Sequence, residues 1–210
     1  MVEAERWRLF VAIELPDAIG EALEAPLRSL DPLDAVVRRS PRTGIHLTLA
    51  FLGMVDPARV PEIAVRLRAA TSGAAPFTVE VGGAGMFPSV SRPQVLWVGI
   101  GGDDRSRLLE LAGRVAEQLR QAGFEPEKRA FHPHLTVGRV RRPPRPPEQQ
   151  VLREWLAQWR DRAYGRLPVS AISLMRSQLS TGPPTYTQLQ TFRLNPDPPS
   201  GRSRLGCGAR

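Results

Sequence analysis

The tripeptide His-x-Thr occurs twice in this chain, each time inside a short stretch that alternates polar and apolar residues. The first copy lies in Gly44-Ile45-His46-Leu47-Thr48-Leu49 and the second in Pro133-His134-Leu135-Thr136-Val137-Gly138. Such alternation dictates an extended strand, in which residues i and i+2 project from one face. His46 with Thr48, and His134 with Thr136, therefore form side-by-side pairs about 7 Å apart at Cα. Leu47, Leu49, Leu135 and Val137 point the other way and can anchor each strand in a core. A strand built like this must border a cleft or solvent on its polar face.

The two copies sit at equivalent places in a rough internal repeat. Residues 8–15 (RLFVAIEL) read as a strand, and Pro16-Asp17 opens a helical stretch to about Leu30. Residues 45–52 form the first motif strand, with a helix from Pro57 to about Ala70. Strands at 77–81 and 95–100 flank a Gly/Pro/Ser-rich loop from Gly82 to Pro93. From Asp104 onward Leu108, Leu111, Ala112, Val115 and Leu119 fall on one helical stripe that Gly123 stops. Residues 131–140 form the second motif strand, and Arg141 to Pro147 a stiff basic loop. Val151, Leu152, Trp155, Leu156 and Trp159 mark another amphipathic helix whose two tryptophans belong to the core. Strands at 169–179 and 186–194 follow. Two such halves related by an internal pseudo-two-fold would bring both motifs around one small volume, and residues 1–194 are expected to form one domain. Residues 195–210, rich in Pro, Gly, Ser and Arg, are expected to be a disordered tail.

The inventory of reactive side chains is sparse. Among 210 residues there is one lysine, Lys128, one cysteine, Cys207, and three histidines, His46, His132 and His134. Lys128 lies in Glu-Pro-Glu-Lys-Arg, which excludes a phosphate-binding Walker loop and lacks the setting of an adenylated lysine. A single cysteine excludes an internal disulfide and a cysteine-based zinc cluster. No apolar run reaches the ~18 residues of a membrane span, and the amino end lacks the basic-then-apolar order of a signal peptide. The expected setting is a reducing cytoplasm, with no membrane partner and a monomeric chain. The formal charge of +8 comes almost wholly from arginine, whose planar fork suits phosphate. A GC-rich genome accounts equally well for that surplus.

Two imidazoles and two hydroxyls around one small volume suit phosphoryl chemistry. In-line displacement at phosphorus needs a base for the attacking oxygen's proton and an acid for the leaving oxygen, on opposite sides. Imidazole titrates near neutrality and can serve as either. Threonine hydroxyls can donate to the non-bridging oxygens as charge builds there. No cofactor or metal is required. A metal reading of His46, His132 and His134 has no Asp or Glu within the motifs to support it. The residues alone leave the two imidazoles equivalent.

The chain resembles the RNA 2′,3′-cyclic phosphodiesterases of LigT/ThpR type, in the two-histidine phosphoesterase superfamily. The resemblance is carried by RLFVAIELP at the start, IHLTLAFLG, PQVLWVGI, FHPHLTVGR and LMRSQLSTGPPTYTQL near the end, in order from about Trp7 to Leu194. It implies a bilobal α+β fold with antiparallel sheets lining the cleft. It also implies hydrolysis of an RNA 2′,3′-cyclic phosphate end to a 2′-phosphomonoester, with a reverse 2′,5′ ligation in some members. Carried over, His46 is the proton donor to O3′ and His134 the acceptor that activates water, with Thr48 and Thr136 holding the phosphate. The partners implied are RNA ends or nucleoside 2′,3′-cyclic phosphates. The family often carries Arg where Gln94 stands, and Arg92 is close enough to substitute. A sister activity on a small substrate such as ADP-ribose 1″,2″-cyclic phosphate, or an RNA-binding module without turnover, are the alternatives.

Three further residues are candidates for substrate contact. Arg139 follows the second motif, but strand parity aims it away from His134 unless the chain bends at Gly138. Phe87, before the strand at 95–100, is placed either to stack a terminal base or to anchor its own loop. Arg92 is the third, as a phosphate or base contact. His132 is read as shaping the strand entry, and the basic run Arg141, Arg142 and Arg145 as either an RNA-tracking surface or a solvated linker.

Overall fold

Both motif strands form where expected, and they lie side by side at the centre of a single nine-stranded antiparallel sheet. The computed structural model describes residues 5–125, 130–178 and 184–195. Its strands are β1 (Trp7–Glu14), β2 (Val37–Arg39), β3 (His46–Val55), β4 (Phe77–Phe87), β5 (Val95–Gly101), β6 (His134–Val140), β7 (Ala163–Val169), β8 (Ala171–Gln178) and β9 (Thr185–Arg193). Their order is β7-β4-β5-β6-β3-β1-β8-β9, with β2 pairing β6. The expected lobes are the two halves of this sheet. They meet at β3 and β6 through one registered pair, Leu47 opposite Leu135.

The helices are α1 (Asp17–Ala22), α2 (Glu24–Arg28), α3 (Val60–Thr71), α4 (Arg105–Gln121) and α5 (Pro146–Trp159). Leu67, Leu108, Leu119 and Leu152 pack in one core cluster with Leu47, Leu135 and Val137 from the sheet. One face of the sheet is thereby covered, and the face bearing both His-x-Thr pairs is left open. The stripe on α4 is buried as its spacing requires, and Gly123 just beyond the helix takes φ 74°. Of the two tryptophans on α5, Trp155 is buried and Trp159 partly buried. Their indole N–H groups donate to the Pro26 carbonyl and Ser29 Oγ, each at 3.0 Å, fastening α5 to α2 and the turn after it.

Several local expectations need correction. The single helix read from Pro16 to Leu30 is two short helices, because Pro26 has no N–H for a bond to Ala22 and its ring crowds that carbonyl. The segment from Gly82 to Phe87 is not loop but the second half of β4. Ladders to β5 and β7 supply the order its glycines lack. The strand read from 169 to 179 is β8 alone, preceded by β7, whose Gly165 and Pro168 hide its alternation. Strand β2 also escapes a periodicity reading, being three residues long. The first turns of α5 take up Pro146 and Pro147 at positions where a missing N–H costs nothing. Asn195, placed in the tail by composition, forms a parallel bridge with Ser72, whereas residues 196–210, like Lys128, lie outside the described residues. No described helix is long and apolar enough to cross a membrane.

Candidate active site

The pairing of Leu47 with Leu135 organises the site. Both leucines are fully buried in the core, so the residues flanking them, His46 and Thr48 on β3 and His134 and Thr136 on β6, all project from the open face. The antiparallel sense about this pair sets His46 level with Thr136, and Thr48 level with His134. The two imidazoles are then diagonal neighbours, roughly 7–8 Å apart at the backbone. Each histidine faces the other lobe's threonine across a local two-fold. Neither threonine hydroxyl hydrogen-bonds to another described residue, so both remain available to a ligand between the rings.

Both rings are held in the same way. His134 Nδ1 donates to the carbonyl of His132 at 2.7 Å, and His46 hydrogen-bonds to the backbone of Gly44, also two residues earlier. In His134 the carbonyl fixes the proton on Nδ1 and leaves Nε2 for the cleft. The contribution of His132 is thus its main-chain oxygen, in keeping with a shaping role. Each ring also meets an aromatic edge to face: His46 with Tyr186 at 5.0 Å and His134 with Phe87 at 5.1 Å between centroids. His46 is further stacked on Phe10 at 4.7 Å. Burial among these rings lowers the His46 pKa from 6.5 to about 4. The Gly44 hydrogen bond opposes the shift, and the Arg139 charge adds to it.

The Arg139 charge is felt at His46, and a β-bulge explains how. On β5 Leu96 pairs with Gly138 and Trp97 with Thr136, so Val137 is the extra residue. The bulge shifts parity by one and returns Arg139 to the face bearing Thr136. The chain bends at Gly138, where a Cβ would stand 2.8 Å from Val37 Cγ1. The same defect recurs on β3, where Val11 pairs with Ala50 and Ala12 with Thr48, leaving Leu49 extra. The fourth residue of each motif is therefore the bulge residue.

This second bulge exposes a residue that sequence reading missed. Phe51 stands three places after Thr48, as Arg139 stands three after Thr136, and its side chain is 47 % exposed. One rim of the cleft thus carries a cation and the other an aromatic ring. The shared offset from the two threonines was the available signal. Phe87 is placed differently from a free stacking residue: it is half-buried, packs on Trp97 at 5.1 Å and supports the His134 ring. Arg92 lies exposed in the β4–β5 loop, with its backbone N–H on Ser89 Oγ, and makes no side-chain hydrogen bond or ion pair with a described residue. Arg142 is bound by Glu148, so part of the basic run caps α5 rather than facing a ligand.

Two imidazoles facing one gap, two hydroxyls without a described hydrogen-bond partner and one guanidinium are the groups that displacement at a phosphate diester calls for. Comparison with known proteins agrees with this class of site. Residues 15–181 match the 2'-5' RNA ligase superfamily, and the chain belongs to that family. It is 34 % identical over 185 residues to an RNA 2′,3′-cyclic phosphodiesterase of Archaeoglobus fulgidus, covering 88 % of this chain and 99 % of the relative. It is 31 % identical over 187 residues to an enzyme of the same name from Methanothermobacter thermautotrophicus, covering 89 % and 98 %. Among solved structures it is similar to E. coli LigT complexed with 3′-AMP, with a TM-score of 0.71 and 28 % identity. That match covers 90 % of this chain and 99 % of LigT.

Proposed function

We propose that this protein hydrolyses 2′,3′-cyclic phosphate ends of RNA to 2′-phosphomonoesters by acid–base catalysis between His46 and His134. The observation that carries the reading is the Leu47–Leu135 register, which turns two remote motifs into one diagonal pair of imidazoles with hydroxyls between them. The names of the relatives supply the substrate class.

In this scheme the cyclic phosphate lies between the rings, its non-bridging oxygens accepting from Thr48, Thr136 and Arg139. His134 Nε2 takes a proton from the attacking water as its oxygen bonds to phosphorus. The bond from phosphorus to O3′ breaks, and His46 delivers a proton to O3′. The products are a 2′-phosphomonoester and a free 3′-hydroxyl, and one proton has moved from one imidazole to the other's side. Burial keeps free His46 neutral. The incoming phosphate anion offsets that burial and favours the imidazolium, which can then donate to O3′. A 5′-hydroxyl in place of water, giving its proton to His134 while His46 protonates O3′, yields the 2′,5′ link by the same sequence. Phe51 offers the exposed aromatic surface on the cleft rim for a base.

Turnover of an oligoribonucleotide with a 2′,3′-cyclic end, compared with ADP-ribose 1″,2″-cyclic phosphate, tests this reading. Preference for the RNA end, undiminished by EDTA, is expected. Preference for the small substrate, or turnover of neither, contradicts it.

A further inference from the structure

On the second lobe the open face continues past His134 to the far edge of the sheet. His134 pairs with Gly99, Gly99 with Gly82, and Gly82 with Ala163, so one row crosses β6, β5, β4 and β7 with the Trp97 ring beside Gly99 and a bulge at Gly82. The row is three strand spacings long, about 14 Å. At its end lies an open depression of about 430 Å³ lined by Gly82 and Ala163 together with Glu80, Asp161, Arg162 and Arg166. Asp161 is taken by Arg160 at 3.4 Å. Arg162 and Arg166 are exposed and form no ion pair with any described residue, although Glu80 stands opposite Arg166 on the neighbouring strand.

We infer that this depression is a second RNA-binding subsite, which takes a phosphate and its nucleotide upstream of the cyclic end, with Arg162 and Arg166 as its cations. The inference rests on the proposed substrate class. Guanidinium groups without carboxylate partners suit phosphate. The row leading to them starts at a catalytic ring, which favours the substrate's own chain over an unrelated protein as the occupant. Local sterics explain Gly82 and Gly99, where a Cβ would press on main-chain oxygens at 3.1 and 2.9 Å. Gly101, on the next row beside Glu80, has no such reason: its φ is ordinary and nothing lies within 4 Å of an added Cβ. Gly101 is the last residue of β5, before the turn at Gly102, and a glycine there leaves the sheet open to close approach by a ligand.

Three proteins test this: wild type, Arg162→Ala/Arg166→Ala, and Gly101→Val, which the strand accommodates. Each is assayed on a nucleoside 2′,3′-cyclic phosphate and on a pentaribonucleotide with the same end. The wild type is expected to favour the pentamer, and both variants to lose about tenfold in kcat/KM on it while the mononucleotide rate stays within about twofold. The salt dependence of the double variant should flatten by about 0.7 in log–log slope per lost contact. Unchanged pentamer kinetics, or a parallel loss on both substrates, overturns the subsite. Anisotropy with a labelled pentamer ending in a 2′-phosphate keeps the test independent of turnover. Weaker binding by the double variant supports the subsite even where the catalytic reading fails, and equal binding rejects it.

Discussion

Leu47 and Leu135, 88 positions apart in the chain, face each other across β3 and β6 as the one registered pair joining the two halves of the sheet. Their burial fixes the outward direction of four polar neighbours. The gap between His46 and His134 is therefore set by the core rather than by any direct contact between the rings.

Removing either imidazole should abolish chemistry without unfolding the chain. His46→Ala and His134→Ala are each expected to lower kcat by about 10²-fold or more, with circular dichroism unchanged. A variant retaining wild-type turnover of a nucleoside 2′,3′-cyclic phosphate would remove that histidine from the mechanism.

The His46 titration should be visible by NMR with a midpoint near 4 in the free protein, rising when a nucleoside 2′-phosphate is bound. Because the folded value lies below the unfolded one, the unfolded chain binds the extra proton. The associated stability is complete above about pH 6.5 and is lost as pH falls toward 4. At about 1.4 kcal/mol per unit, the contribution over that window is roughly 3 kcal/mol. Denaturant melts of His46→Phe should lack this part of the pH dependence.

In the proposed mechanism Arg139 acts through charge at the phosphate and on His46. Arg139→Gln is expected to raise KM more than it lowers kcat, and to move the His46 midpoint upward because a cation that depresses it is gone. An unchanged midpoint and KM would place Arg139 outside the site.

Two glycines hold site geometry by leaving room. A Cβ on Gly85 would lie 2.1 Å from Trp97 Cζ2, and one on Gly138 would press on Val37. Gly85→Ala should displace the indole and, through Phe87, loosen the support of His134. Gly138→Val should disturb the bulge that aims Arg139. Each is expected to cost about 1–3 kcal/mol of stability, read from Tm, and to lower kcat/KM. A Gly85→Ala protein with wild-type Tm and activity would contradict the packing of Trp97.

The motif strands were legible because His46-Leu47-Thr48-Leu49 and its partner satisfy strand periodicity and supply the chemistry at once. The stripe on α4 was legible for the same reason. Register was not: nothing local reveals that Leu47 meets Leu135, because the contact joins segments far apart in the chain. The bulges were half visible, since Gly138 marked a possible bend while Leu49 and Ala50 gave no hint. Phe51 was overlooked because an aromatic in an apolar run reads as core until parity is reset. β7 and the glycine half of β4 were hidden by residues that disfavour strands in isolation and are ordered by their neighbours.

Phosphorus NMR of the product formed from a ribonucleoside 2′,3′-cyclic phosphate tests the account most directly. The proposed roles, His46 as proton donor to O3′ and His134 as base on the opposite side, predict the 2′-phosphomonoester from the wild type, and no product from His46→Ala or His134→Ala. A 3′-phosphomonoester, or product formation that survives loss of both histidines, would contradict the pairing of His46 and His134 as acid and base.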